Sequence, residues 1–109
     1  MIVGTTIWWI DGTPFYTPQF QRGGLAGNFI AQVTHKAGNN DATMTVETRN
    51  SEDTSWTTVD SATITTTGKV EVGGSSIKEL LRIKFSWASG AASDVIHVIV
   101  QAPTWRPYT

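Results

Sequence analysis

From Leu81 to Trp87 the residues alternate without exception: Leu81, Ile83, Phe85 and Trp87 are apolar, while Arg82, Lys84 and Ser86 are polar. A side-chain period of two puts successive residues on opposite faces, so this stretch is a strand with one side in a core and the other in water. The preceding helix formers in IKEL do not sustain a helical period, and the spacing predicts a strand over Leu80 to Trp87. Once one amphipathic strand is required, the chain must supply a sheet and a second layer to cover its apolar face.

The same alternation recurs. In NFIAQVTHKA, Phe29, Ala31 and Val33 share one side; in ATMTVETRN, Met44 and Val46 do. The cluster Gly38-Asn39-Asn40-Asp41 between them has the chemistry of a tight turn and predicts a hairpin joining these two strands. A second polar turn, Asn50-Ser51-Glu52-Asp53, precedes SWTTVDSATITTT, which predicts a further strand or two, and glycines bracket KVEV. DVIHVIVQA is apolar at nearly every position, as expected of a strand covered on both faces.

Seventeen threonines fit this reading, because a β-branched side chain suits a pleated surface. The expected fold is all-β: a single antiparallel β-sandwich, jelly-roll-like, with extended N- and C-terminal segments. One domain spans residues 1–109, with an N-terminal strand and Pro/Gly-rich arm over 1–28, the sandwich over 29–102 and a tail over 103–109. The Gly23-Gly24 pair and Gly27 read as a flexible connector within the arm.

Charge and motif content exclude several functions. A formal net charge of -1, with no cluster of lysine and arginine, provides no footprint for nucleic acid. The absence of cysteine excludes a disulfide framework and a Cys-based zinc site. No run nears the length of a membrane span, and MIVGTTIWWIDG lacks the basic start and cleavage site of a secretory signal. No nucleophile elbow, phosphate loop or zinc-protease motif occurs. His35 and His97 have no carboxylate at a useful spacing, since Asp94 would face away from His97 in a strand. The acidic residues Asp41, Glu52, Asp53, Asp60 and Asp94 fall at or near turns without the spacing of a calcium loop. The expectation is a non-enzymatic chain with no cofactor and no metal.

What remains is surface. Trp56 and Trp87 sit in alternating patterns and are expected in the core, whereas large rings crowd the two ends of the chain. Trp8 and Trp9 are adjacent, so in a strand only one can face the sandwich interior. Phe15, Tyr16 and Phe20 lie in a proline- and glycine-punctuated arm unsuited to a regular ladder, and the tail APTWRPYT carries Trp105, Arg106 and Tyr108. These eight residues are the candidate interface set, because tryptophan, tyrosine and arginine dominate binding hot spots. The tail has two expected dispositions, folded over its own sandwich or lying on a neighbouring subunit.

The run VETRNSEDTSWTTVDSATITTTG followed by IKELLRIKFSW, residues 46 to 87, resembles small β-sandwich and jelly-roll proteins of bacteriophage virions. That resemblance implies a capsid decoration, or cement, protein: a homo-oligomer, with a trimer expected, that binds the major capsid protein and resides in the virion after assembly in the host cytoplasm. Similar strings occur in carbohydrate-binding sandwiches. The alternative expectation is therefore a carbohydrate-binding module or a receptor-binding tip, with Trp105 or Tyr108 on an open face.

Overall fold

A computed structural model describes residues 2–10 as backbone, and residues 14–38, 40–87, 95–101 and 103–106 with their side chains. The described residues form ten strand segments: β1 (Ile2–Ile10), β2 (Phe15–Tyr16), β3 (Phe20–Gln21), β4 (Ala26–Ala37), β5 (Ala42–Arg49), β6 (Thr57–Ile64), β7 (Gly68–Gly74), β8 (Leu80–Trp87), β9 (Val95–Gln101) and β10 (Thr104–Arg106). Every pairing among them is antiparallel.

The ten segments occupy eight strand positions. β2 and β3 lie along the same edge of β8, opposite Phe85 and Leu81 respectively, and read as one edge strand interrupted around Pro18. β9 and β10 likewise follow one edge of β4, at Ala31–Ala37 and at Ala26–Asn28. Counted in this way, the first position (β1) pairs with the last (β9/β10), the second (β2/β3) with the seventh (β8), the third (β4) with the sixth (β7), and the fourth (β5) with the fifth (β6). Two further pairings, β4 with β9 and β5 with β8, complete sheets ordered β1-β9-β4-β7 and β2/β3-β8-β5-β6. A long hairpin rolled so that its two arms are shared between facing sheets has this nested pairing. The fold is a jelly-roll β-sandwich.

The core lies between the sheets. Phe29, Ala31 and Val33 from β4 and Ile96, Val98 and Val100 from β9 face Met44 and Val46 from β5 and Leu81, Ile83, Phe85 and Trp87 from β8. The β8 alternation is thus realised residue for residue. Burying side chains of this size contributes roughly 1.5–3 kcal/mol each, and the pleat keeps Arg82, Lys84 and Ser86 on the outer face at no cost to that packing.

Three expectations are corrected. β4 and β5 do not form a hairpin: β4 pairs with β7, β9 and β10, while β5 pairs with β6 and β8. Their apolar faces fill the core from opposite sides, so the connection crosses between sheets, using Gly38 at φ 97°. The turn before β7 crosses in the same way, with Gly68 at φ 125°, a conformation that L side chains rarely adopt. β9 is not covered equally on both faces: Ile96, Val98 and Val100 are buried, but Val95, His97 and Ile99 are half-exposed. Finally, the arm does hold a ladder in two short pieces. Between them Thr17 is buried, donates its amide to the Ile83 carbonyl (2.9 Å) and accepts the Ile83 amide on its hydroxyl (3.0 Å). A side chain thereby supplies the ladder bond that the interrupted strand lacks.

Besides the register shifts at the start of β1, two bulges adjust the pattern. Between Val33 and His35 the register with β9 shifts, and the extra residue, Thr34, places its hydroxyl 2.6 Å from His97 Nδ1 and 3.2 Å from the His97 carbonyl. Between Val46 and Glu47 the register with β6 shifts, so that Val59 packs on the core while Thr58 and Asp60 stay exposed.

Candidate binding surface

The N-terminal arm is fixed at both ends. Phe15 and Phe20 are half-buried against the core. Beyond them, Arg22 donates from Nη1 to the Ile77 carbonyl (2.7 Å) and from its amide to the Glu79 carbonyl (3.0 Å). Tyr16, one residue from Phe15 and so on the opposite face, is 40% exposed. The arm's aromatics therefore divide: two close the edge of the chain's own core and one reaches the outer surface.

The C-terminal segment folds back on the same molecule. β10 pairs with Ala26–Asn28, and Leu25 donates its amide to the Arg106 carbonyl (3.0 Å). The Trp105 ring stands edge-on to Phe29, with centroids 5.6 Å apart and an interplanar angle of 90°. It rests on the glycines of the arm: a Cβ at Gly23 would lie 2.6 Å from Trp105 Cδ1, and one at Gly27 would lie 3.1 Å from Cε3. A Cβ at Gly24 would run into the Arg106 carbonyl oxygen. These glycines are a close-contact seat for the last strand, which corrects their reading as a flexible connector. Trp105 is half-buried by its own chain and Arg106 is exposed. The side chains of Trp8 and Trp9, and all of Tyr108, lie outside the described residues; the backbone of β1 places Trp8 opposite His97 and Trp9 opposite Ile96.

The outer face of β8 and β5 carries a cluster that alternation alone did not reveal. Glu47 and Arg82 are register partners, and Arg82 donates from Nε to Glu47 Oε1 at 2.7 Å. The Arg82 guanidinium carbon lies 4.1 Å from the Tyr16 ring centroid and 4.5 Å from that of Trp56. Arg49 approaches Trp56 at 5.0 Å, and Lys84 approaches Tyr16 at 6.0 Å. Cations and rings thus follow one another in the order Lys84, Tyr16, Arg82, Trp56, Arg49. Each such contact is worth about 0.5–1 kcal/mol where exposed and more where water is excluded.

Trp56 accordingly corrects its expected place in the core. It precedes β6, is half-exposed, and lies beneath two guanidinium groups on the outside of the sandwich, whereas Trp87 is buried as expected. Arg49 is held by the Asn50–Asp53 turn, donating from Nη1 to the Asp53 carbonyl at 2.9 Å. Inside that turn Asp53 accepts the Asn50 amide at 2.9 Å. This backbone hydrogen bond, with Lys78 and Arg49 nearby, holds the Asp53 carboxyl below its ordinary value.

His35 and His97 are opposite one another across β4 and β9. Among the described residues, no three His, Asp or Glu side chains converge as a metal site would need, and no helix is long and apolar enough to cross a membrane. A shallow cleft of about 260 Å³ is lined by Gln21, Arg22, Glu79 and Leu80, but Arg22 is committed to the Ile77 carbonyl and Glu79 accepts from Ser51. The aromatic–guanidinium cluster, the open sheet edges and the seated tail are the features from which a function has to be argued. Comparison with protein-family models, with curated proteins and with solved structures returned no match.

Proposed function

We propose that the chain is a non-enzymatic virion structural protein of the capsid decoration type, which forms a homo-oligomer, a trimer in the simplest case, and binds the major capsid protein of a phage shell. The observation that carries this reading is the free edge of β1. This strand ends its sheet, and among the described residues it pairs with β9 alone. Its nine residues, IVGTTIWWI, include no charge and no proline.

Sheet proteins that stay monomeric blunt their edges with lysine, proline, bulges or short strands. Register shifts with β9 interrupt β1 between Ile2 and Thr6, but from Thr6 to Ile10 the register is regular and the edge carries no lysine, proline or bulge. Such an edge suits strand addition by another chain, in which backbone pairing gives affinity and the two tryptophans give buried area. The jelly roll adds support by analogy, because viral capsid domains use that architecture.

Size-exclusion chromatography with light scattering, followed by co-sedimentation with assembled shells, tests the proposal. A stable oligomer that binds shells and not free capsid subunits is the expected result. A monomer at all concentrations that sediments with neither overturns it.

A further inference from the structure

We infer that the outer face of β8 and β5 is a binding site for a carboxylate-bearing sugar, with Arg82 as the carboxylate fork and Tyr16 as the ring platform. The inference depends on neither the oligomer nor the shell.

Arg82 is preorganised to an unusual degree for a surface arginine. The rings of Tyr16 and Trp56 flank its guanidinium, at 4.1 and 4.5 Å, and Glu47 takes its Nε hydrogen. The guanidinium therefore has three partners, and the side chain retains only 25% of its accessible surface. Both Nη groups remain without a protein acceptor among the described residues. A planar pair of N–H donors already fixed in orientation matches the two oxygens of a carboxylate, and little conformational entropy is left to lose on binding.

The surroundings select the rest of the ligand. Arg49 and Lys84 flank the stack, and Asp53 beside Arg49 is itself paired with Lys78 at 3.6 Å, so four cations stand with two carboxylates, Glu47 and Asp53, in a chain whose net charge is -1. That local excess favours an anion. Tyr16, 40% exposed, offers ring surface beside the fork. Tyr16, Lys84, Thr45 and Ser61 share one cross-strand row, and Arg82, Glu47 and Thr58 the next. The hydroxyls of Thr45 and Thr58 have no partner among the described residues. A guanidinium fork, an exposed ring and a row of unengaged hydroxyls on a flat sheet together match the carboxylate, the C–H face and the hydroxyls of a uronic-acid residue. An acidic peptide would use the cations but has no need of the hydroxyl rows.

The test is an NMR titration of the full-length, ¹⁵N-labelled chain with trigalacturonate, with the neutral trisaccharide galactotriose, with acetate and with an Asp/Glu-rich hexapeptide. Trigalacturonate is expected to shift the Trp56 indole N–H and the β8 and β5 amides, with a dissociation constant of about 1 mM or tighter. Galactotriose and acetate are expected to bind at least about tenfold more weakly, the margin of one good charged hydrogen bond. Arg82→Lys keeps the charge and loses the fork, so it should also weaken trigalacturonate about tenfold, while Tyr16→Ala should weaken both saccharides. Circular dichroism verifies that each variant is folded. The inference is overturned if trigalacturonate leaves the Trp56 indole unmoved at about 10 mM, if Arg82→Lys binds as the parent does, or if the peptide or acetate binds as tightly as trigalacturonate. The last result would instead identify an acidic protein partner or general anion attraction.

Discussion

Trp105 and Gly23 are complementary: the indole of the last strand occupies the space that any side chain at position 23 would need, 2.6 Å from where its Cβ would stand. Residues 82 positions apart in sequence thus close the same corner of the sandwich. Trp105→Ala should destabilise the fold by about 2 kcal/mol, less than the truncation of a fully buried tryptophan because the ring is half-exposed. Gly23→Ala should cost about 1–2 kcal/mol by displacing the ring. In the Trp105→Ala background the glycine substitution should be nearly neutral. Urea denaturation of the four proteins checks this, and simple additivity would refute the seat.

Thr17 completes the interrupted edge strand with its hydroxyl. Thr17→Val keeps the shape and removes the acceptor for the Ile83 amide, so it should cost about 1–2 kcal/mol. Thr17→Ser should recover most of the loss. Hydrogen exchange supplies the specific readout: the Ile83 amide should exchange faster in the valine variant, while the amides of β9 are unaffected.

For the Glu47–Arg82 pair, the short Nε–Oε1 contact and its partial exclusion from water predict a coupling energy of about 1 kcal/mol in a double-mutant cycle with Glu47→Gln and Arg82→Gln. A cycle that closes at zero would mean that stacking on the rings, and not the ion pair, holds the arginine.

Asp53 gives the fold a dependence on acid. Its folded-state value lies below the ordinary 3.8, chiefly because the carboxylate accepts the Asn50 amide. A depressed carboxyl stabilises the folded state above the unfolded-state value and loses that contribution as pH falls through the folded-state value. The melting temperatures of the parent and of Asp53→Asn should therefore differ at neutral pH and converge in acid below 3.8. A gap that persists at the acid end would contradict the turn's hydrogen bonding.

The open edge of β1 makes a further prediction. Lysine at Thr6, where the regular register begins, should convert an oligomer to monomers without unfolding the sandwich, since charged edges resist strand addition. Light scattering and circular dichroism measured together check it. An oligomer indifferent to that substitution would place the contact elsewhere.

The sequence disclosed the strands more fully than their arrangement. β8 was legible to the residue, because strict alternation admits only one structure and two faces. The β4–β5 connection was not, since a glycine–asparagine turn has the same chemistry whether it closes a hairpin or carries the chain between sheets; long-range pairing decides between them. Trp56 misled for a related reason. Its alternation with neighbouring threonines indicates a face, but not which face is inside, and a bulge at Val59 shifts the pattern between it and the end of β6. The Tyr16–Arg82–Trp56 stack draws on three separate segments and becomes visible only once Glu47 is known to oppose Arg82. Of the terminal rings, Phe15, Phe20 and Trp105 pack on the chain's own core, and Tyr16 faces outward.

The nested order of the strands also has a consequence for synthesis on the ribosome. Ile2–Ile10 leaves the ribosome well before its neighbour in the sheet, Val95–Gln101, and seven other strand segments are made between them. Until that partner is made, β1 has no neighbour in its sheet to pair with. Contacts so distant in sequence are slow to form, and nascent chains in this condition are the ones that chaperones or sister polypeptides are best placed to intercept.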